Sequence, residues 1–221
     1  MMQERIALIP VREGSQRVKF KNFKNFINNK SLLQVKIDQL KKSNCFDKIY
    51  ISSDSKHAEQ IAYDNDINFL YRDKKACQTN IKWSEALNII LNTIPGNPII
   101  TWALTTSPLF NNFKETLDTF LNNPKNDSLL TVFPKKSFFM DGKGRCINYN
   151  PGVWHSYSQD LQTYYEVTGA CYIGSKNDML KWNYWFGPNP YLFKSTRTES
   201  IDIDTLSDFE FAQKIYNIEN A

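Results

Sequence analysis

The chain is expected to fold as an α/β protein with a mainly parallel sheet flanked by helices. Two observations predict this. Residues 6–9, 48–52 and 67–71 are β-rich runs, and the segments between them carry apolar residues at helical spacing, so strand and helix alternate from the start. Cations, hydroxyls and a glycine gather where these strands end, as they do in sheets that bind a ligand at the carboxyl ends of parallel strands.

Residues 6–9 (Ile-Ala-Leu-Ile) form the continuous apolar run that a strand covered on both faces requires. Lys30-Ser31-Leu32-Leu33 opens a helix with Leu33, Ile37 and Leu40 on its apolar face, Lys36, Lys41 and Lys42 on other faces, and an end near Asn44. Residues 48–52 return as a strand. Ser52-Ser53-Asp54-Ser55 then reads as a strand end followed by a helix cap, with Ala58, Ile61 and Ala62 in the helix. Residues 67–71 add a third strand, and residues 83–91 a helix built on Ala86, Leu87, Ile90 and Leu91. Residues 98–104 form a buried strand ending in Thr105-Thr106-Ser107-Pro108-Leu109, where the hydroxyls either bind a ligand or make a Ser-Pro turn. A helix at 113–121 and a strand at 128–133 follow.

From residue 134 to 165 the texture changes to Lys-Lys, Gly-Lys-Gly and scattered aromatics with weak periodicity. We read about 135–165 as an excursion serving as a dimer contact or lid within a single domain, 1–221. Residues 169–174 rejoin the sheet. Trp182, Tyr184, Trp185, Phe186 and Tyr191 are expected to pack rather than to stack on bases. Residues 200–205 form a strand that leads into a helix from Leu206.

Composition narrows the function. With 41% hydrophobic and 23% charged residues the chain can build a packed core, which excludes disorder. The net charge of +4 is mild, with its cationic excess near the N-terminus and an acidic C-terminal segment. That pattern suits a small anionic ligand better than nucleic acid. Cys45, Cys77, Cys146 and Cys171 form no CxxC pair, which predicts free thiols and argues against a zinc knuckle. His57 and His155 have no Ser/Asp or Cys partner by spacing, so a hydrolase triad is unsupported. No leader-like stretch and no apolar run of about 18 residues occurs, so a cytoplasmic protein without a membrane partner is expected.

Two constellations carry chemistry. The loop after the first strand holds Arg12, Gly14, Ser15, Arg17, Lys19, Lys21 and Lys24. Glycine lets a backbone approach an anion and the cations neutralise it, so the loop suits a phosphate chain, although a solvated basic loop has the same composition. It is neither a P-loop nor a GxGxxG turn, and binding phosphate through side chains is more typical of nucleotidyl transfer. The second constellation is Asp202 and Asp204 around Ile203. On a strand both carboxylates share a face, with Ile203 packed behind them, and two such oxygens suit Mg²⁺. The other reading is that Asp204 or Thr205 caps the following helix.

IALIPVREGSQRVKFKN resembles the signature loop of the acylneuraminate cytidylyltransferases, which make CMP-activated sugar acids. Lys30-Ser31-Leu32-Leu33, the segment from Asp47 to Asp54, Thr106-Ser107-Pro108-Leu109 and Asp202-Ile203-Asp204-Thr205 with Asp208-Phe209 agree with the family in order. Ser158-Gln159-Asp160-Leu161 with Thr168-Gly169-Ala170 resembles a degraded version of another family block. The resemblance implies a nucleotide-diphospho-sugar transferase-like α/β fold and a homodimer formed by the excursion. It also implies a Mg²⁺-dependent attack of an acceptor oxygen on the α-phosphorus of CTP, with pyrophosphate leaving. Arg12, Ser15 and Lys21 would hold the triphosphate, with Arg17 supplying the charge of a usual lysine that is replaced by Gln16. Asn22 would hold the nucleotide, Ser53 and Asp54 would line the cytidine pocket, and Arg72 would lie near it. Arg12 and Lys21, with Asp202 and Asp204 at the metal, would be the catalytic set.

Departures from the family pattern cluster on the acceptor side. Leu104-Thr105 replaces Gln-Pro, Phe110 an Arg, Ser158 an Arg and Thr168 an Asn. With Leu104, Thr106, Ser107 and Gln159 as the acceptor-binding set, the expected partner besides CTP is a small acidic acceptor other than an ordinary sialic acid. The alternative is a nucleotide-binding, non-catalytic homologue on the same fold. A glycosyltransferase would place its Asp-x-Asp pair mid-chain.

Overall fold

An apolar run without polar alternation belongs in the middle of a sheet covered on both faces, and Ile6, Ala7, Leu8 and Ile9 are all fully buried. A computed structural model, which describes residues 3–14, 17–78 and 80–219, places them in β1 (Arg5–Pro10). After β1 the chain makes β2 (Asn25–Ile27) and β3 (Lys30–Ser31), a small antiparallel ribbon. Asn28 and Asn29 turn it at φ 46° and 60°, the left-handed pair that a two-residue hairpin needs and that Asn tolerates.

The remaining strands are β4 (Lys48–Ser53), β5 (Asn68–Tyr71), β6 (Ile99–Ala103), β7 (Ser128–Lys135), β8 (Tyr164–Ser175) and β9 (Pro190–Lys194). With β1 they form one seven-stranded sheet in the order β5-β4-β1-β6-β8-β7-β9. Neighbours are parallel except where β8 meets β6 and β7, so β8 alone runs against the rest. The sheet is therefore mainly parallel, as expected. From β1 the chain builds outward through β4 to β5 and then returns to β6 on the other side of β1. A crevice opens at such a reversal, outside the carboxyl ends of the strands.

The helices are α1 (Leu32–Ser43), α2 (Lys56–Asp64), α3 (Trp83–Asn92), α4 (Phe113–Asn122), α5 (Lys176–Trp182) and α6 (Leu206–Glu219). The Ser31 hydroxyl accepts from the Gln34 amide at 3.2 Å to cap α1 at its start, and Asn44 ends it in the left-handed region. Alternate residues of β1 feed two cores. Ala7 and Ile9 pack with Leu33, Ile37, Ala58 and Phe113, whereas Ile6 and Leu8 pack with Leu87, Ile90, Trp102 and Met179. Each such aliphatic side chain contributes about 1.5–3 kcal/mol when fully buried.

A third cluster joins Phe26, Leu32, Val35, Ile203, Phe209 and Ala212. It fastens the C-terminal segment onto the ribbon and α1, and so brings the two ends of the chain together. The expected strand at 200–205 does not form: residues 201–204 lie outside any strand. Ile203 is pinned instead by burial and by its amide, which donates to the Thr106 carbonyl at 2.8 Å.

The aromatic run packs, as expected. Trp185 lies face to face with Tyr172 at 4.8 Å and against Trp83 at 4.2 Å. All four cysteines are free. Between β7 and β8, residues 136–163 form an isolated bridge from Met140 to Cys146 and short 3-10 turns at Gly152–Trp154 and Ser158–Asp160. Among the described residues no helix is long and apolar enough to cross a membrane.

Candidate active site

The loop after β1 begins where Val11, buried, donates its amide to the Ser52 carbonyl at 3.0 Å. Arg72 braces this junction from β5's end. Its amide donates to the Ser53 carbonyl at 2.8 Å and its guanidinium to the Val11 carbonyl, while burial lowers its pKa, opposed by Cys77 and Asp54. Arg12, half-buried, donates to the Cys77 carbonyl at 3.5 Å. The Glu13 amide donates to Asp54 at 3.4 Å, and the space beside Gly14 where a Cβ would stand is open. Ser15 and Gln16, named from sequence, lie outside the described residues.

Asn22 is buried and acts as a link. Its side-chain amide donates to the Arg12 carbonyl at 3.4 Å, and its oxygen accepts from the Thr105 hydroxyl at 2.7 Å. Next to it the Lys21 ammonium donates to the Ile203 carbonyl at 2.5 Å. Burial lowers the Lys21 pKa, and the carboxylates of Asp202 and Asp204 work against that shift. Arg17 pairs with Asp204 at 2.6 Å. The cationic loop and the aspartate pair, at opposite ends of the sequence, thus form one site.

The cap of α6 is Thr205 with Asp208. The Thr205 hydroxyl accepts from the Asp208 amide at 3.2 Å, and Asp208 accepts from the Thr205 amide at 2.7 Å, a reciprocal capping box. Capping therefore leaves the Asp204 carboxylate to Arg17 and solvent. Asp202 is exposed, yet the protein around it raises its carboxyl above the usual range. Partial desolvation is the leading cause and repulsion from Asp204 adds to it, whereas a hydrogen bond with Thr106, Lys21 and Arg17 oppose it.

Two carboxylates under mutual repulsion beside exposed solvent match the hard oxygen donors that Mg²⁺ takes, one or two from protein and the rest from phosphate and water. The residues present therefore fit such an ion. Among the described residues no group of three or more His, Cys, Asp or Glu gathers to make a closed metal cage. The expectation of a shared strand face is corrected: Asp202 and Asp204 flank a buried Ile203 outside the sheet, held by Thr106 and Lys21 rather than by strand pairing.

Several other expected contacts turn inward. Ser53 is fully buried and its hydroxyl accepts from the Ser55 amide at 3.1 Å, and Ser107 is also buried. Gln159 is exposed in the excursion, where its carbonyl accepts from Lys136, and no hydrogen bond joins it to the 104–110 turn among the described residues. Thr106 and Leu104 are both half-buried; the Thr106 carbonyl meets the Ile203 amide, and Leu104 packs against the second core cluster. The sequence pattern names the Thr105 hydroxyl without its partner Asn22, and sets Lys36 off the apolar face of α1, whereas Lys36 is fully buried.

A mainly parallel sheet carries a cationic loop at its reversal point, and a carboxylate pair from the other end of the chain meets that loop. The family model described as cytidylyltransferase matches residues 6–220, and the chain belongs to that family. It is similar to a pseudaminic acid cytidylyltransferase of Campylobacter jejuni, 27% identical over 225 residues and covering 96% of each chain. It is also similar to an N-acylneuraminate cytidylyltransferase of Streptococcus agalactiae, 26% identical over 92% of this chain, of which it spans about half (51%). Among solved structures, a CMP:2-keto-3-deoxy-manno-octonic acid synthetase complexed with CTP superposes with a TM-score of 0.71, at 11% identity and over 98% of this chain and 99% of that one. That likeness supports the fold.

Proposed function

We propose that this cytidylyltransferase moves CMP from CTP to a hydroxyl of a sugar acid of the pseudaminic kind, other than an ordinary sialic acid, with pyrophosphate leaving, in the cytoplasm and for glycan synthesis. The observation that carries the reading is the meeting of Lys21 with the Asp202–Asp204 segment, together with the Arg17–Asp204 pair. An exposed ion pair contributes little by itself, so Arg17 is free to exchange Asp204 for a phosphate oxygen.

Arg12, Arg17 and Lys21 would then neutralise the triphosphate and Asn22 would fix the nucleotide side of the loop. Leu104 and Thr106 would border the acceptor. Asp202 and Asp204 would hold a Mg²⁺ ion, which supplies charge neutralisation at the phosphate and a lower pKa for the attacking hydroxyl. Positioning and charge complementarity provide the rest of the rate.

Incubation with CTP, Mg²⁺ and a panel of sugar acids, followed by pyrophosphate release, tests the reading. Release with at least one acceptor is expected, and chelation with EDTA should stop it. Silence with every acceptor despite CTP binding would favour a non-catalytic nucleotide binder, and turnover that survives chelation would remove the metal role.

A further inference from the structure

Lys36 is wholly enclosed, on α1 between the sheet and α4. Its ammonium donates to the carbonyls of Ser107 at 3.0 Å and Phe110 at 3.1 Å, and lies 4.9 Å from the centre of the Phe113 ring. The facing titratable group is the Cys171 thiol on β8. Burying a cation without a carboxylate is unfavourable, and an apolar side chain of the same length would fill the space. The ammonium therefore has to be explained by what it holds.

It holds the turn after β6. The turn's own hydrogen bonds are long, 3.5 Å from the Ser107 amide to the Leu104 carbonyl and 3.4 Å from the Phe110 amide to the Ser107 carbonyl. The two bonds from the Lys36 amine, at 3.0 and 3.1 Å, are shorter, and Gln39 on the same helix adds a bond to the Pro108 carbonyl at 2.5 Å. From this gripped turn, the Thr106 carbonyl receives the Ile203 amide at 2.8 Å, which fixes the backbone between Asp202 and Asp204. The chain of contacts runs from α1 through the turn to the Asp202–Asp204 segment.

We propose that Lys36 is a positioning residue for transfer: by fixing the carbonyls of Ser107 and Phe110 it sets Thr106, and through Thr106 the Asp202 carboxylate and the acceptor edge of the site. This rests on the transfer reading above. A displacement of the order of 1 Å at reacting groups reduces rate by about 100-fold.

The test compares Lys36→Met, which keeps length and loses the amine, with Lys36→Gln and Gln39→Met. In steady-state assays on the acceptor that wild type uses, Lys36→Met should lower kcat/KM for the acceptor by about 10- to 100-fold while the KM for CTP stays within about twofold. Lys36→Gln, which keeps a donor, should recover part of the loss, and Gln39→Met should show a smaller loss of the same kind. A folded Lys36→Met with wild-type kcat and acceptor KM, or with an equal loss on the CTP side, would overturn the proposal. Should Lys36→Met fail to fold, the other two variants decide it by the same split. A wild type that binds CTP and transfers to no sugar acid would overturn the transfer reading, and this proposal with it.

Discussion

At the junction of the chain's two ends, Asp202 is held at a cost in stability at neutral pH. Raising the folded-state pKa of Asp202 means that the folded chain keeps this proton longer than the unfolded chain as pH rises. The contribution is favourable below the ordinary carboxylate range and is lost as pH climbs through the raised value. Asp202→Asn should therefore melt higher than wild type at neutral pH and lose that gain in acid, while turnover falls by about 100-fold or more. Thermal melts at two pH values with a pyrophosphate assay check both halves, and a variant that is no more stable and fully active would refute them. Lys36 works in the opposite direction. Burial pushes its amine down from 10.5 to about 7, so between those values the unfolded chain holds a proton that the folded chain releases, and stability rises with pH across that window. Relative to Lys36→Met, wild type should gain on the order of a few kcal/mol between about pH 7 and pH 10. Urea titrations of both proteins measure this, and parallel pH curves would contradict it.

Among the elements, the link from α5 to β9 shows how tightly the far side of the sheet is packed. A Cβ on Gly187 would stand 2.5 Å from the Trp182 ring and 2.6 Å from the Asp127 carboxylate, and the Gly187 amide donates to the Ser128 hydroxyl at 2.9 Å. Gly187→Ala should destabilise by about 1–3 kcal/mol, the range of overpacking in a filled site, with CTP affinity unchanged. Denaturant unfolding and calorimetry would read these separately. Sequence pattern located α1, β4 and β6 because their apolar residues follow the helical or strand period over enough length. It missed β9, whose Tyr191-Leu192-Phe193 run lies behind Pro188 and Pro190, and the β2–β3 ribbon, whose turn is written as Asn28-Asn29 rather than with glycine. For Lys36 a signal was present: at about 100° per residue it falls about 60° from Leu33, on the edge of the buried arc. The carbonyls that justify a lysine there come from a turn some seventy residues later, and no local pattern shows them.

At the scale of the molecule, the paired ends of β7 and β8 project residues 136–163 beyond the sheet. Val153 and Trp154 are 94% and 79% exposed there, and Tyr157 is 72% exposed. Grouped exposed apolar side chains of this kind mark an interaction surface, and the proposed occupant is a second copy of the chain. Sedimentation at micromolar concentration should show a dimer, and a Val153→Asp/Trp154→Asp double variant should be a monomer with an unchanged melting profile for the sheet. A monomeric wild type would end that reading. The sequence alone determined the α/β class, the cationic loop and the aspartate pair, because hydrophobic period and residue chemistry are local properties. Only the tertiary structure decided that Arg17 meets Asp204, that Ser53 and Ser107 face inward, and that Thr105 and Lys36 tie the site together. Those contacts join residues far apart in the chain, and their existence depends on how the sheet reverses at β1 and on what the third core cluster pulls into place.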